Sequence, residues 1–435
     1  EMFPRSAAFE PGRHGTLRDV IERLPYVAGM GFDVLYLPPI HPIGETARKG
    51  RDNAPAAEPG DVGSPWAIGS AAGGHTSVHP DLGTLDDFDE LVAAAHGHGL
   101  ELALDIAFQC SPDHPWVEEH PEWFRHRPDG SIQYAENPPK KYQDILPFDF
   151  ECDAWESLWD ALRRVFLFWA DRGVRVFRVD NPHTKPFPFW DWVIEEVRRV
   201  HPDVIMLSEA FTRPKRMKRL AKGGFSQSYT YYAWRNSPRE LREYVEELAS
   251  PPECDLMRPS FWPNTPDILT DHLAAGGRAA GMSRLVLAAT LAPSYGIYGP
   301  VYELCDFVQR PGAEENRASE KYEVRHWDRD DRWSLRHLIA LVNRIRREHP
   351  ALQQLRDVVF HHCDDPAHLA YSKRSHDGRD IVLCVVNTSL HEERWGLVRL
   401  DLRHLGVAAN EPFVVHDLLT GTRHRWRGPE IRRAS

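Results

Sequence analysis

Three carboxylates in this sequence follow three predicted strands. Asp180 comes just after a β-branched and aromatic run, and Glu209 ends an apolar run one βα unit later. Asp267 follows the strand-like segment 257–262. In a barrel of parallel strands, the carboxyl ends of the strands face the active site. Three acids at successive or nearly successive strand ends are hard to explain by structure alone, so these positions predict an active site.

Arg178 lies two residues before Asp180, on the same face of the predicted strand. Its charge would hold the Asp180 carboxylate ionised at neutral pH, which makes Asp180 a plausible nucleophile. The alternative is a structural ion pair at a strand end, and this pair alone does not decide between the two. Glu209, at the end of the next strand, favours the active site.

Helical and strand patterns alternate over the first 350 residues. Thr16 and Thr84 each begin a predicted helix with an aspartate three residues later, as in a capping box. Strands are predicted at 32–39 and 100–107, and the alternation continues through seven or eight βα units. This pattern predicts an α/β fold, a (β/α)8 TIM barrel. The competing fold, an open doubly wound sheet, would carry a glycine-rich phosphate turn after its first strand, and the sequence has none.

Departures from this repeat predict the domain organisation. Residues 108–153 are too long for a plain βα loop, so we expect an inserted subdomain over the barrel mouth, within a catalytic domain at 1–350. Short strands with turns between them predict a C-terminal β-sandwich at 351–435. Its last stretch, 424–435, carries no strand signal. The polar loop 40–80 has the length of a functional or disordered segment.

Composition narrows the class of protein. The chain has 435 residues, 42% hydrophobic content and a net charge of −11, which argues against a nucleic-acid surface. Six cysteines without CxxC spacing favour neither a disulfide framework nor a zinc site. No run is apolar enough to span a membrane, and no signal peptide opens the sequence. We therefore expect a cytoplasmic enzyme.

Four segments resemble, in order and spacing, the four motif regions of glycoside hydrolase family 13, the α-amylase superfamily. They are Asp105-Ile106-Ala107, Phe177-Arg178-Val179-Asp180, Glu209, and Phe261-Trp262-Pro263-Asn264 with Asp267. Amylases usually carry Asn and His at the end of the first region, where this chain has Gln109-Cys110, and the fourth region here reads Asn264-Thr265-Pro266-Asp267. These departures resemble one subfamily, the α-1,4-glucan:maltose-1-phosphate maltosyltransferases. Further segments that match this subfamily are 48–50, 60–70, 135–142, 180–186 and 320–322.

This resemblance implies a retaining glycosyltransferase. It would move maltosyl units from α-maltose 1-phosphate to the non-reducing end of α-1,4-glucans by double displacement, releasing phosphate, without a cofactor or metal. Asp180 resembles the nucleophile, Glu209 the general acid/base, and Asp267 the residue that binds the distorted sugar in the transition state. Glu209 follows an apolar strand, which suits a carboxyl with a raised pKa.

The resemblance also implies a set of substrate-binding residues. Arg178 would orient Asp180. Phosphate contacts are implied for Ser64, Asn137, Lys140, Tyr142 and Asn181, disaccharide contacts for Lys49 and Gln109, and acceptor-side contacts for Lys321 and Tyr322. Without the resemblance, a solvated surface charge is the better interpretation of Lys49 and Lys321, and less so of Lys140 beside Tyr142. Members of the family are longer homodimers with an N-terminal sandwich involved in dimer formation, which this chain is expected to lack, and its C-terminal end is expected to be cut short.

Some alternatives stay open at this point. His183 and Lys185 are either ligand contacts or parts of the loop structure. The function could also be that of an amylase-type hydrolase or transglycosidase with neutral leaving groups. A third possibility is a non-catalytic barrel that binds glucan or a partner protein, although such proteins lack one or more of the acids, and all three acids are present here.

Overall fold

A computed structural model describes residues 1–137, 140–409 and 411–434 of the chain. The chain forms two compact units. The first comprises Glu1–Ser228, Arg310–Gly312 and Asn316–Asp328, and the second comprises Tyr229–Gln309, Ala313–Glu315 and Arg329–Ser435. The predicted boundary between catalytic domain and sandwich, at residue 350, lies inside the second unit and stays a prediction.

The first unit alternates helices with strands. Its helices are α1 (Leu17–Gly29), α2 (Leu85–Gly97), α3 (Pro115–Glu119), α4 (Trp155–Asp171), α5 (Phe187–Val200) and α6 (Pro214–Lys222). Its strands are β1 (Val34–Leu37), β2 (Glu101–Ile106), β3 (Gln109–Cys110), β4 (Ala135–Asn137), β5 (Lys140–Tyr142), β6 (Leu146–Pro147), β7 (Val176–Asp180), β8 (Ile205–Glu209) and β9 (Gln227–Tyr229, whose last residue belongs to the second unit).

Both predicted capping boxes are confirmed. The Thr16 side chain accepts a hydrogen bond from the backbone N–H of Asp19, whose carboxylate accepts one from the backbone of Thr16. Thr84 and Asp87 form the same reciprocal pair at the start of α2. These boxes satisfy N–H groups that the first helical turn leaves without partners, and so they fix where each helix begins.

Parallel strands form the centre of the first unit, in the order β1-β2-β7-β8-β9. Their apolar residues and the inner faces of α1, α2, α4 and α5 form one hydrophobic core. On α4, for example, Leu158, Leu162, Phe166 and Trp169 are fully buried at the spacing of one helix face. The register places Asp180 opposite Glu209 and Arg178 opposite Asp105, so charged side chains are gathered where neighbouring strands end.

The segment predicted to be an inserted subdomain, 108–153, contains short pairings of its own. β3 pairs with β6 and β4 pairs with β5, both antiparallel. The isolated bridge between Phe124 and Phe148 connects two further parts of the segment. Its status as a separate subdomain stays a prediction.

The second unit contains helices and short strands, followed by an antiparallel region. Its helices are α7 (Pro238–Ala249), α8 (Glu253–Leu256), α9 (Asp271–Leu291) and α10 (Arg336–Glu348). Its strands are β10 (Pro259–Phe261), β11 (Ser294–Tyr295), β12 (Val358–Cys363), β13 (His368–Arg374), β14 (Ile381–Asn387), β15 (Trp395–Arg399), β16 (Pro412–His416), β17 (Arg423–Arg427) and β18 (Glu430–Ala434).

Two elements differ from the sequence expectation in extent. The pattern at 224–234 predicts one long strand, but the strand is limited to β9, and Tyr231–Trp234 forms a 3-10 helix. The pattern at 282–290 predicts a short helix, but α9 already begins at Asp271 and contains Gly277 with φ +48°. A residue in this backbone region interrupts regular helix geometry, which explains why no continuous helical pattern is visible across it.

The antiparallel region has two layers. One sheet runs in the order β14-β13-β12-β15-β18, and β16 pairs with β17 as a separate hairpin. Phe413 and Trp426 of the hairpin pack on a core that includes Val398 and Ile431 of the sheet. The expectation of no strand over 424–435 is wrong, because β17 and β18 lie there. Arginine occupies alternate exposed positions of β17, so composition conceals a strand that its pairing with β16 stabilises.

No helix within the described part of the chain combines the length and the apolar character needed to cross a bilayer.

Candidate active site

Arg178 is the centre of a group of charges at the ends of β2, β7 and β8. Its Nη1 lies 2.7 Å from Asp105 Oδ2 and 3.1 Å from Asp180 Oδ1, and its Nη2 lies 3.3 Å from Glu209 Oε1. We call these four residues the carboxylate cluster. All four are less than 10% exposed. Burial opposes the charge of Arg178, but Asp105 and the other carboxylates raise its pKa well above the usual value, so the guanidinium stays charged.

Asp105 is the most deeply buried member of the cluster. Besides Arg178, its Oδ2 accepts a 2.5 Å hydrogen bond from the Tyr36 hydroxyl. Burial raises the pKa of Asp105 to about 6, while Arg178 acts in the opposite direction. Asp105 is therefore a buried structural acid that anchors the guanidinium, and it leaves the other two carboxylates as the groups nearer to solvent.

The turn that follows β7 holds both of these carboxylates. Asn181 has a left-handed backbone, φ +41° and ψ +52°, which is uncommon outside glycine but tolerated by Asn. In this conformation its backbone N–H donates to Glu209 Oε2 at 3.1 Å, and its Nδ2 donates to Asp180 Oδ1 at 3.3 Å. Gln109 reaches the other oxygen of Asp180, with Nε2 3.5 Å from Oδ2. The structure thus brings together five predicted residues: Gln109, Arg178, Asp180, Asn181 and Glu209.

Lys49 and Lys321 lie in a second group, which we call the loop cluster and which also contains Trp66 and Asp144. Lys49 is buried, and its Nζ donates to Gln143 Oε1 at 3.1 Å. The Nζ of Lys321 lies 4.7 Å from the ring centroid of Trp66, within the range of a cation–π interaction. Burial raises the pKa of Asp144, and the charges of Lys49 and Lys321 oppose that shift. Neither lysine is the solvated surface charge that composition alone favours.

The other predicted residues of the first unit lie in its loops. Ser64 is buried, and its carbonyl accepts a hydrogen bond from the Ala67 N–H. Tyr142 is half-buried at the end of β5. Tyr322 is buried, with its ring centroid 5.9 Å from Lys321 Nζ. The side chains of Asn137 and Lys140 lie outside the described residues.

Asp267 belongs to the second unit. Its side chain is exposed, and its backbone N–H donates to Thr265 Oγ1 at 3.2 Å. The preceding Asn264 is fully buried, where its side chain bonds to both the N–H and the carbonyl of Tyr298. These bonds fix the segment that presents Asp267. Its participation with Asp180 and Glu209 stays a prediction.

Some residues in or beside these clusters were given no role from the sequence, among them Asp105, Lys185, Trp66 and Asp144. Asp105 is a strand-end acid like Asp180, and this spacing could have pointed to it. Lys185 was left open, and its Nζ lies 3.4 Å from the Asp180 carbonyl. Asp144 has no sequence signal, because its burial depends on loops that meet only in the folded chain.

Within the described ranges, no group of three or more His, Cys, Asp or Glu side chains is placed to hold a metal ion. The chemistry that the carboxylate cluster itself offers is that of acids, bases and carboxylate nucleophiles. Asp180 and Glu209 contact one guanidinium and one turn, which places two acids side by side with different donors around each.

Comparisons with known proteins identify the family. The family model described as "Alpha amylase, catalytic domain" matches residues 2–173, and the model described as "GLGE, C-terminal" matches residues 360–431. Solved structures are similar in fold. An α-amylase from Lactobacillus plantarum superposes with a TM-score of 0.75 at 19% identity, covering 99% of this chain and 96% of that one. A maltogenic α-amylase, AmyB, from Thermotoga neapolitana gives 0.72 at 18% identity, covering 100% and 94%. At such identities the likeness shows the fold alone, and it confirms the predicted α/β barrel class with an antiparallel C-terminal part.

Curated relatives are much closer in sequence. The chain is 56% identical over 434 residues to a protein from Chlorobaculum tepidum named "Alpha-1,4-glucan:maltose-1-phosphate maltosyltransferase", covering 98% of this chain and 65% of that protein. A protein of the same name from Salinibacter ruber is 54% identical and covers 98% of this chain and 65% of its own length. A Streptomyces coelicolor protein, whose name ends in the number 2, is also 54% identical and covers 98% of this chain and 64% of its own length. The chain thus spans somewhat less than two thirds of these relatives. It belongs to the α-amylase superfamily and, within it, to the family of the α-1,4-glucan:maltose-1-phosphate maltosyltransferases.

Proposed function

We propose that this chain carries the catalytic site of a retaining glycosyltransferase, which moves maltosyl units from α-maltose 1-phosphate to the non-reducing end of an α-1,4-glucan. The names of the relatives at 54–56% identity support these two substrates. The segments that distinguish this subfamily from ordinary amylases contain Lys49, Tyr142, Asn181 and Lys321, all of which lie in the first unit with the two acids.

The observation that carries the proposal is that Arg178 contacts Asp180 and Glu209 at the same time. The two acids lie opposite each other on neighbouring parallel strands, whose backbones are about 4.8 Å apart. Retaining enzymes hold their two carboxyl groups roughly 5 Å apart, whereas inverting enzymes leave about 6.5–9.5 Å for a water molecule. Because one guanidinium contacts both carboxylates at 3.1 and 3.3 Å, the two acids are held close together, which suits double displacement with retention.

The two acids have different surroundings, and these suit different roles. Asp180 accepts from Arg178, Asn181 and Gln109, donors that hold its carboxylate in one orientation, as a nucleophile requires. It would attack C1 and form a maltosyl-enzyme as the C1–O bond to phosphate breaks. Glu209 would supply a proton to the leaving group and then take one from the acceptor hydroxyl, whose oxygen displaces Asp180 from C1. Asp267 would bind the distorted sugar.

The departing phosphate needs positive charge and donors near the anomeric carbon. We assign this task to the side chains that the family resemblance indicates, namely Ser64, Asn137, Lys140, Tyr142 and Asn181. In double displacement the leaving group departs from the face of the sugar opposite the nucleophile, on the side of the acid/base. The backbone N–H of Asn181 donates to Glu209 Oε2 at 3.1 Å, which supports a place for Asn181 beside the departing phosphate. A cytoplasmic location and a reaction without cofactor stay predictions of the sequence, and dimer formation is a property of the family that the sequence does not predict for this chain.

The test is to incubate the purified chain with α-maltose 1-phosphate and to measure free phosphate with and without a maltooligosaccharide. We expect phosphate release that depends on the acceptor, together with products longer by two glucose units in mass spectra. The matched control is Asp180→Asn, which keeps the size of the side chain and removes the nucleophile. Cleavage of a long glucan without any use of maltose 1-phosphate would support the amylase-type alternative instead.

A further inference from the structure

Lys185 lies beside the carboxylate cluster, in the turn after β7. It follows the 3-10 helix Pro182–Thr184. Its Nζ lies 3.4 Å from the carbonyl oxygen of Asp180 and 3.5 Å from that of Asn181. The ammonium thus contacts the carbonyls of the two peptide groups that flank Asn181, the residue that follows the proposed nucleophile.

The backbone that Lys185 contacts is held in an unusual conformation. A left-handed non-glycine residue costs on the order of 1–2 kcal/mol and persists only where its surroundings fix it. The carbonyl of Asn181 accepts from the Thr184 N–H at 3.1 Å and from Thr184 Oγ1 at 2.7 Å, in addition to Lys185. These donors together hold the turn in the orientation in which the Asn181 N–H points to Glu209.

The charge of Lys185 also acts on the cluster. Burial lowers the pKa of Lys185, while the carboxylates of Asp180, Glu209 and Asp105 favour its charged form and Arg178 opposes it. On its own turn, the other titratable group is His183, whose pKa is lowered by burial and by the charge of Lys185. Three carboxylates thus face two cations, Arg178 and Lys185, of which only Arg178 was assigned a role from the sequence.

We propose that Lys185 is a positioning residue for the proposed reaction. Its ammonium fixes the left-handed turn at Asn181, so that the Asn181 N–H is aimed at Glu209, and it supplies the second positive charge beside the two reacting carboxylates. This inference rests on the proposed roles of Asp180 and Glu209, but it does not depend on which leaving group the enzyme uses.

The experiment compares the pH profiles of kcat and of kcat/KM for five proteins: the unmodified chain, Lys185→Met, Lys185→Gln, Lys185→Arg and Thr184→Val. The substrate is α-maltosyl fluoride, with fluoride release as the readout, and α-maltose 1-phosphate is measured in parallel. Thr184→Val is the matched control, because it removes a neutral donor to the same Asn181 carbonyl and leaves the charge in place.

For Lys185→Met we expect kcat to fall roughly ten- to a hundredfold. Both limbs of the profile should move to higher pH by about half to one unit, since a nearby cation favours ionised carboxyl groups. Lys185→Arg should restore the positions of both limbs, and Thr184→Val should leave them unmoved. Lys185→Gln, which keeps a donor without the charge, should shift the limbs as Met does, and it replaces the Met variant if that protein does not fold.

Unmoved limbs in Lys185→Met, or in Lys185→Gln where it replaces the Met variant, would overturn the proposal. A rise in KM with kcat and limbs unchanged would also overturn it and would make Lys185 a sugar contact. Turnover of the fluoride without turnover of the phosphate in the unmodified chain would reject the proposed donor, yet the shift of the limbs would still decide the role of Lys185.

Discussion

The carboxylate cluster and the loop cluster both hold buried charges in the first unit, but different parts of the chain position them. Asp105, Arg178, Asp180 and Glu209 come from three neighbouring strands whose register fixes which residues meet. The loop cluster joins Lys49, Trp66, Asp144 and Lys321, which lie outside the strands of the parallel sheet. The carboxylate cluster is held by ion pairs among its own members. In the loop cluster, Lys321 has a cation–π contact with Trp66, and Lys49 donates to a neutral amide, Gln143. We infer that the first holds the reacting groups and that the second adapts the same fold to a particular substrate.

The largest effect should come from the nucleophile. Asp180→Asn keeps the shape of the side chain but removes its nucleophilic charge, so we expect turnover of α-maltosyl fluoride to fall roughly 10⁴-fold. The melting temperature should change little, because Arg178 keeps Asp105 and Glu209 as partners. Fluoride release measures the turnover, and thermal unfolding of the same preparation measures the melting temperature. If the variant keeps at least a tenth of the turnover of the unmodified chain, Asp180 is not the nucleophile, and its contact with Arg178 is a structural ion pair.

The second prediction concerns stability. Arg178→Met leaves three buried carboxylates without their shared cation, and breaking a buried pair in this way costs about 3–5 kcal/mol. The control is Arg199→Met on α5, whose ion pair with Glu195 at 2.7 Å is solvent-exposed and should contribute far less to the free energy of unfolding. Urea unfolding of both variants provides the comparison. Equal losses would mean that the buried ion pairs of the carboxylate cluster contribute no more to the free energy of unfolding than an exposed ion pair does.

The same difference between strands and loops explains how far the sequence could be interpreted. The apolar, β-branched run 381–387 predicts a strand, and β14 has the same bounds. The boxes at Thr16 and Thr84 predicted two helix starts. Each of these signals is local. Strand-end acids could be recognised because parallel strands bring their carboxyl ends together. The role of Lys185 could not, since it depends on the left-handed backbone of Asn181, a conformation that no local pattern announces.

The binding residues in the loops could not be recognised from charge and spacing alone. Charge and spacing favoured a solvated surface position for Lys49, yet it is buried against the inserted segment. Only resemblance to a family placed Lys49 and Lys321 at a binding site. Burial of Asp144 is the clearest limit, because the segments that enclose it are far apart in sequence and meet only through tertiary structure.

A third prediction uses the pH dependence of the carboxylate cluster. Burial raises the pKa of Asp105 from 3.8 to about 6, so the native state favours its protonated form. This group's contribution to the free energy of unfolding is fully present below about pH 4 and is lost as the pH rises through about 6. The difference in unfolding free energy between the unmodified chain and Asp105→Asn should therefore fall by about 2–3 kcal/mol over that interval.

Only the slope of this difference is diagnostic, because Asp105→Asn also alters the contact with Arg178 at every pH. Chemical denaturation at a series of pH values between about 4 and 7 measures it. A difference that stays constant, or that rises with pH, would show that ion pairing with Arg178 outweighs burial at Asp105. The carboxylate cluster would then resemble an ordinary surface network more than a buried one.

The smallest effect is expected in the loop cluster, where Lys321 lies over Trp66. A double-mutant cycle with Lys321→Met and Trp66→Leu removes the aromatic face and separates this pair from the loss of packing around the buried indole. At 4.7 Å from the ring centroid, we expect a coupling of about 0.5–1 kcal/mol in the free energy of unfolding. The control cycle replaces Tyr322 by Leu, because its ring centroid is 5.9 Å from the same ammonium and its coupling should be smaller. If Trp66 and Tyr322 couple equally to Lys321, or neither couples, then Trp66 does not fix the ammonium. In that case Lys321 would depend on bound substrate for its position, and the loop cluster would be completed only when a sugar is present.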